Sequence, residues 1–445
     1  MKITISPEQQ LHELKNKMYS PLCGLLTSYG YNIHERFGPR VYVSGGELTG
    51  AHLLVGQQAP KPGSYHIGGT GILGYEAAIK TYGETAERYA GVISALQISD
   101  KGRFESYDSL VMENEPVLSS EKMDLFDLES LPHPFPFLKF NPASPITWVQ
   151  ADNIGFGEDR KWIPAQQFMI GYSPRTDEGE RRFSAAVSTG TAVHTSRIKA
   201  LQSALYELIQ IDSAMGHWYG RTSAVRIGFD SRVKDLQHVL DKHMRKGGSR
   251  AEFYLLPSPD LPGFSVACLI LEPFGRVPVV SVGLGAADSL EKSMYKAWLE
   301  GVGVKTLASW SLVNRLSEEG VGDVDTSAMY DLDSSVIHAA FPEGASKVFE
   351  RFGSSAMTNA SDLPADVERD DDEDVRHIIG AFKRSGKELY CSDLTTRDIA
   401  SLGFKAIRVW SPDTLSLCLP SAPPNKHKRF NDYGGFAHVD PHPYP

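Results

Sequence analysis

The 445-residue chain holds only four cysteines, Cys23, Cys268, Cys391 and Cys418, spread along its length with no C-x-x-C pair. That excludes a disulfide framework and a cysteine zinc site and fits reduced, mostly buried thiols. No apolar run approaches the roughly 20 residues needed to cross a bilayer. The start, MKITISPEQQLHELKNK, has no signal core. A basic excess is also missing: the formal net charge of −10 gives no general field for nucleic acid. There is no G-x-x-x-x-G-K-[ST] loop and no local Ser-His-Asp or Cys-His signature. What remains, with 41% hydrophobic and 22% charged residues, is an ordinary globular composition and enough chain for one to three domains. These absences read together as a cytoplasmic protein without nucleic-acid or membrane partners.

The stretch IGGTGILGYEAAIKTYGETAERY, 67–89, contains Gly69-x-Gly71-x-x-Gly74. A dinucleotide fingerprint needs a strand running into the first glycine and an acid about 20 residues on. Residues 57–66 are rich in proline and glycine and read as a loop. The best strand candidate, Ala51 to Val55, ends before it, and no acid follows where the ribose would need one. The glycines therefore serve something else. A helix is expected from Ala77, with Glu84 and Glu87 on one face at i and i+3.

The pattern recurs. Ala77…Glu84 resembles Ala200…Glu207 and Ser293…Glu300, with small residues seven and three positions before each glutamate (Thr81, Ala204 and Ala297 at three). Gly68, Gly190 and Gly283 stand sixteen or seventeen before it. Strand-like runs, 182–187 and 277–282, precede the second and third units. The expectation is an α/β domain of quasi-repeated strand–turn–helix units whose helices converge on a cleft. Carboxylates gathered there are hard oxygen ligands suited to Mg²⁺, with nucleotide phosphates completing the shell.

The helices GYEAAIKTYGETAERYAG and STGTAVHTSRIKALQSALYELIQIDSAMGHW resemble the two signature helices of YcaO proteins. PVVSVGLGAADSLEKSMYKAWLEGV and SDLTTRDIASLGFKAIRVWSPDT are similar to the family's third helix region and late strand–helix–strand segment. The resemblance runs from about Gly68 to the end. It implies a YcaO-type fold binding ATP and Mg²⁺. The family's E-x-x-E-R falls on Glu84, Glu87 and Arg88, all kept. In the second helix it falls on Glu207, Gln210 and Ile211, so one carboxylate is an amide and the arginine is absent. A family asparagine falls on Thr195 and a family glutamate on Lys199. The resemblance thus implies ATP-binding positions Glu84, Glu87, Arg88, Lys199, Glu207 and Gln210, with Glu84, Glu87 and Glu207 holding metal. Whether one or two ions fit stays open.

The ending, His438-Val-Asp-Pro441-His-Pro443-Tyr-Pro445, alternates proline and favours an extended polyproline II segment. P-x-P-x-P resembles the tail of the azoline-forming subclass, which implies that the Pro445 carboxylate acts as a catalytic base near the nucleotide. His438, Asp440 and His442 are unsuited to one ion because rigid prolines separate them. An acidic run, Asp366–Asp374, reads as a solvated loop or helix start.

The chain is expected to divide into an N-terminal segment, 1–57, with one amphipathic helix at Pro7–Met18, and a YcaO domain, 58–445. The resemblance implies an ATP-dependent cyclodehydratase that converts Cys, Ser or Thr of a ribosomal precursor peptide into azolines. It also implies an E1-like leader-binding partner and a flavin-dependent dehydrogenase. Two alternatives stand: thioamide or amidine formation, and a non-catalytic ATP-binding scaffold. The oligomeric state is not fixed, and a homodimer stays open.

Overall fold

The computed structural model describes residues 6–32, 35–50, 67–131, 134–157, 159–319 and 329–445. The strand candidate Ala51–Val55 and the loop 57–66 lie outside them. The N-terminal helix α1 (Pro7–Met18) spans the expected residues. Ser6 caps it reciprocally with Gln9, and Pro7 occupies the first turn, where its missing N–H costs nothing.

Strands β1 (Leu26–Tyr31), β2 (Tyr42–Leu48) and β3 (Ile67–Gly71) form an antiparallel sheet in that order. Gly69 and Gly71, expected in a turn between strand and helix, lie inside β3, and Gly74 opens helix α2 (Gly74–Ser99) after two further residues. The reason is steric. A Cβ on Gly69 would lie 2.1 Å from the Ala77 carbonyl oxygen and 2.8 Å from the Thr81 nitrogen. Strand and helix therefore touch backbone to backbone, which only glycine permits.

A second sheet collects β4 (Arg103–Ser106), β5 (Pro145–Asn153), β6 (Arg160–Pro164) and β7 (Thr191–His194). Helix α3 (Arg197–Tyr219) leaves β7. The run 182–187 expected as the strand of this unit is irregular, and β7 takes its place directly before the helix. The chain then builds a third sheet from β8 (Val225–Gly228), β9 (Arg250–Leu255), β10 (Phe264–Leu271), β11 (Val280–Ala287) and β12 (Met357–Asn359). Its order is β11-β10-β9-β8-β12, antiparallel except for β12 beside β8. Finally β13 (Tyr390–Asp393) and β14 (Lys405–Trp410) return to the second sheet, between β5 and β7.

Strands β10 and β11 are buried along almost their whole length because helices cover both faces of the sheet there. On one face Val266, Cys268 and Ile270 pack against α4 (Leu290–Glu319) through Met294 and Trp298. On the other, Leu269, Val282 and Leu284 meet the second half of α3 through Met215 and Trp218. The acidic run begins a helix, Asp371–Arg384, capped by Asp370. Asp374 is drawn inward, accepting from Tyr206 and Gln202.

Candidate functional site

The three strand–helix units interleave. Helix α2 packs on its own strand β3 and also reaches β7. Helix α3 packs on β7 and β14 and reaches β11; α4 packs on β11 and reaches β3. Each helix thus lies against its own unit and the next, and the cycle closes on itself. Glu84, Glu207 and Glu300 stand about three turns into α2, α3 and α4 respectively. Closure brings these equivalent positions to a common centre.

Two of the units share the same tethers. The Gly68 N–H donates to Glu84 at 2.8 Å, and the Leu284 N–H donates to Glu300 at 3.1 Å. One turn earlier on each helix, Lys80 donates to the Thr70 carbonyl at 2.7 Å and Lys296 to the Ala286 carbonyl at 3.0 Å. The small residues expected beside them make the close approach: a Cβ on Gly283 would meet the Ala297 oxygen at 2.3 Å, and one on Gly285 the Ala297 nitrogen at 2.5 Å. The middle unit has neither tether. Its strand instead presents Thr191 Oγ1 to Arg408 of β14 at 3.0 Å. Arg408 is almost fully buried and also donates to the carbonyls of Phe168, Val187 and Thr189.

The groups are enclosed by protein yet keep some contact with solvent, as the base of a cleft does. Burial pushes the Glu87 carboxyl up to about 8, against the pull of Arg88 and with a further push from Glu84. Burial likewise raises Glu300 to about 7, partly opposed by the Leu284 N–H. Glu207 lies well above the carboxylate range, through burial and then Glu87. Burial works against charge on Arg88, but Glu84, Glu87 and Glu207 outweigh it; Arg88 also lies 3.3 Å from Glu84. Arg408 is lowered by burial to about 10, with Glu207 and Glu87 opposing. Lys296 is lowered by burial and by Lys292 to about 8. Four carboxyl groups, two guanidinium groups and a lysine therefore form one electrostatic unit.

The structure brings together Glu84, Glu87, Arg88 and Glu207. Gln210, one turn beyond Glu207, is half-buried, and Ile211 is a core residue. Lys199 is turned elsewhere: it sits in the first turn of α3, largely exposed, 3.5 Å from Asp371. It is not among the charges acting most strongly on Glu207. Arg408 was missed by sequence reasoning, since it lies about two hundred residues from its partners and carries no local pattern. Glu300 was visible in the repeat alone.

The tail is folded onto the protein. His442 and Tyr444 are buried. His442 Nε2 lies 2.8 Å from the Cys418 carbonyl, Trp218 donates to the Asp440 carbonyl at 2.8 Å, and the Tyr444 ring meets Trp218 edge-on. Asp440 faces Lys347 at 3.5 Å, so Asp440 and His442 have separate partners. Trp218 is eleven residues after Glu207 on α3, about 16 Å along the axis at 1.5 Å per residue. Behind this contact, buried Asp212 accepts from Arg429, Tyr433 and the Leu415 N–H, fixing the segment before the tail to the same helix.

A family model described as YcaO cyclodehydratase, ATP- and Mg²⁺-binding, matches residues 68–415. The chain belongs to the YcaO family. Solved structures share the YcaO fold. A heterocyclase in complex with substrate and cofactor superposes with a TM-score of 0.65 at 16% identity, over 92% of this chain and 52% of that one. The chain thus spans about half the length of that heterocyclase. YcaO from Methanopyrus kandleri, bound with AMPPCP and Mg²⁺, gives 0.58 at 15% identity, over 92% and 91%. A chain of the E. coli microcin synthetase McbBCD complex gives 0.60 at 14% identity, over 94% and 98%. No curated protein sequence matches. At these identities the likeness concerns the fold. Among the described residues no helix is long and apolar enough to cross a membrane.

Among the described residues, no three His, Cys, Asp or Glu side chains are gathered closely enough to hold a metal alone. Mg²⁺ does not require such a cage, since it keeps waters and takes substrate phosphates beside one or two carboxylates. Hard oxygen donors whose charge is disfavoured without a cation fit that ion.

Proposed function

We propose that this chain is an ATP-dependent backbone cyclodehydratase acting on Cys, Ser or Thr of a ribosomal precursor peptide. The observation that carries the reading is the closed cycle of three strand–helix units, which gathers Glu84, Glu87, Glu207 and Glu300 beside Arg88 and Arg408. One or two of Glu84, Glu87 and Glu207 would hold each Mg²⁺ beside the nucleotide phosphates, and the ion would supply charge neutralisation and alignment of those phosphates. Arg88 adds a fixed positive charge to the phosphate site, and Lys199 a second only if its side chain leaves Asp371. Gln210 offers a neutral oxygen where relatives carry a carboxylate.

In this reading the peptide thiol or hydroxyl adds to the preceding carbonyl carbon. The carbonyl oxygen takes the γ-phosphoryl group of ATP, releasing ADP. Addition has closed the ring and released the thiol or hydroxyl proton to water; the C–O bond to that phosphoryl group then breaks, phosphate departs and the C=N bond of the azoline forms. The amide proton goes to the Pro445 carboxylate, carried by a tail that is docked on the helix bearing Glu207. The described part of the N-terminal segment meets the main domain where β2 pairs with β3, the peptide is delivered by an E1-like partner, and a flavin-dependent dehydrogenase acts afterwards.

Phosphate release on adding peptide and partner tests the enzyme against a non-catalytic scaffold, the reading that Gln210 and Ile211 favour. Loss of one water per modified residue distinguishes cyclisation from thioamidation, which replaces oxygen by sulfur. Phosphate release without any mass change would overturn the assignment.

A further inference from the structure

The chain is acidic overall, yet one part of its surface gathers unpaired cations. Phe37 lies between two guanidinium groups, Arg276 at 4.3 Å and Arg36 at 5.2 Å from its ring centre. Arg245 donates to the Arg36 carbonyl at 2.7 Å, Lys246 is the next residue, and the Arg40 N–H donates to the His243 carbonyl at 2.8 Å. Arg36, Arg40, Lys246 and Arg276 are exposed, and among the described residues none of them, nor Arg245, meets a carboxylate at ion-pair distance. The nearby carboxylates Glu35 and Glu272 are taken by buried Lys305, at 2.6 and 3.0 Å. Like charges held together repel, and an acidic surface relieves them. The opposite charge stands at the other end of one helix. His243 closes the helix Lys234–His243, and Arg232, just before that helix, donates to the carbonyls of Ala360, Leu363 and Pro364 and to Asp366. This anchors the run 362–373, in which Asp362, Glu368, Asp372 and Glu373 are exposed and without a cation partner among the described residues. Ten residues at 1.5 Å each put about 15 Å between the two ends. The outward side chains between them, Lys234, Asp235, His238, Asp241 and Lys242, have no excess of either sign. Each end also carries an exposed valine, Val277 beside Arg276 and Val367 beside Glu368.

We infer that a second copy of this chain docks antiparallel along the helix Lys234–His243, so that the basic end of each copy meets the acidic end of the other. A two-fold axis satisfies both contacts at once, because an isologous interface pairs residue i with j and j with i. Val277 of one copy and Val367 of the other fall in the same contact and give each charged patch an apolar spot. Exposed charges set the strength, so the association is modest and sensitive to salt. The inference stands apart from the function proposed above, since none of these residues belongs to the acid cluster.

The test is sedimentation equilibrium of the full chain from about 1 to about 100 µM. A monomer–dimer equilibrium is expected at about 50 mM salt and should weaken about tenfold or more at about 0.5 M, where the screening length falls to about 4 Å. Arg36→Glu with Lys246→Glu, and separately Glu368→Lys with Asp372→Lys, should each raise the apparent Kd about tenfold or more at low salt. Mixed in equal amounts, the two variants should associate as wild type does, because each offers the charge that the other's reversed end needs. That recovery also shows both variants to be folded. A wild type that is monomeric at low salt, a dimer indifferent to salt and to both pairs of substitutions, growth beyond the dimer, or a mixture that stays monomeric overturns the inference. A monomeric wild type whose basic end captures a poly-glutamate peptide, with capture lost in the first variant, also overturns it and gives that end to an acidic segment of another protein.

Discussion

Binding of a magnesium nucleotide should expel protons. Without a cation, burial holds Glu87 up at about 8 and Glu300 at about 7, and Glu207 also lies well above the ordinary range. At pH 7 the first is about nine-tenths protonated and the second about half, so these two alone carry about 1.4 protons. A divalent cation requires the ionised forms, and each must lose its proton as it binds. Release should therefore be at least about one proton at pH 7 and smaller at pH 9, where Glu87 and Glu300 are already ionised. The affinity itself should weaken as pH drops below 7. Titration calorimetry with preformed Mg·AMPPCP, run in buffers of different ionisation enthalpy, measures the number directly. Glu87→Gln should remove most of it. Proton uptake, or heats independent of buffer at pH 7, would refute the idea that these carboxyl groups meet the cation.

Other expectations follow from packing. Gly283→Ala places a Cβ about 2 Å from the Gly301 nitrogen and should cost about 3 kcal/mol or prevent folding, whereas Gly83→Ala meets nothing and should gain about 0.5–1 kcal/mol; urea denaturation compares them. Tyr444→Ala removes a buried aromatic anchor and should loosen the tail by about 3 kcal/mol or more, seen as faster carboxypeptidase trimming. Burial lowers His442 to about 4, so its contribution to docking is present above its unfolded value near 6.5 and lost as pH falls toward 4; hydrogen exchange of the last ten residues should quicken over that window. Extending the chain beyond Pro445 by a few residues should slow phosphate release sharply; equal rates would remove the carboxylate from the reaction.

Much of this was legible because the repeat is written locally. A small residue seven and three positions before a glutamate marks the helix stripe that must approach a glycine-bearing strand, and Ala77, Thr81 and Glu84 do what that spacing implies. The strand positions were less legible. Glycine in β3 mimics turn composition, since the sequence shows the absent side chain but not the helix that requires it. The run 182–187 has strand-like residues but lacks a ladder partner, whereas β7 pairs with β14 from more than two hundred residues away. Arg408 and the fate of Lys199 depend on such distant pairings: one arginine is delivered by β14, and one lysine is diverted by the Asp371–Arg384 helix. The tail's prolines announced extension, but the slot formed by Trp218 and Cys418 that receives it exists only after folding.

The most direct measurement is an anomalous difference map from crystals grown with AMPPCP and Mn²⁺ in place of Mg²⁺. The account predicts metal density touching carboxylate oxygens of Glu84, Glu87 or Glu207 and the nucleotide phosphates, with Arg88 nearby. Metal and nucleotide bound elsewhere, with those side chains contacting neither, would contradict it.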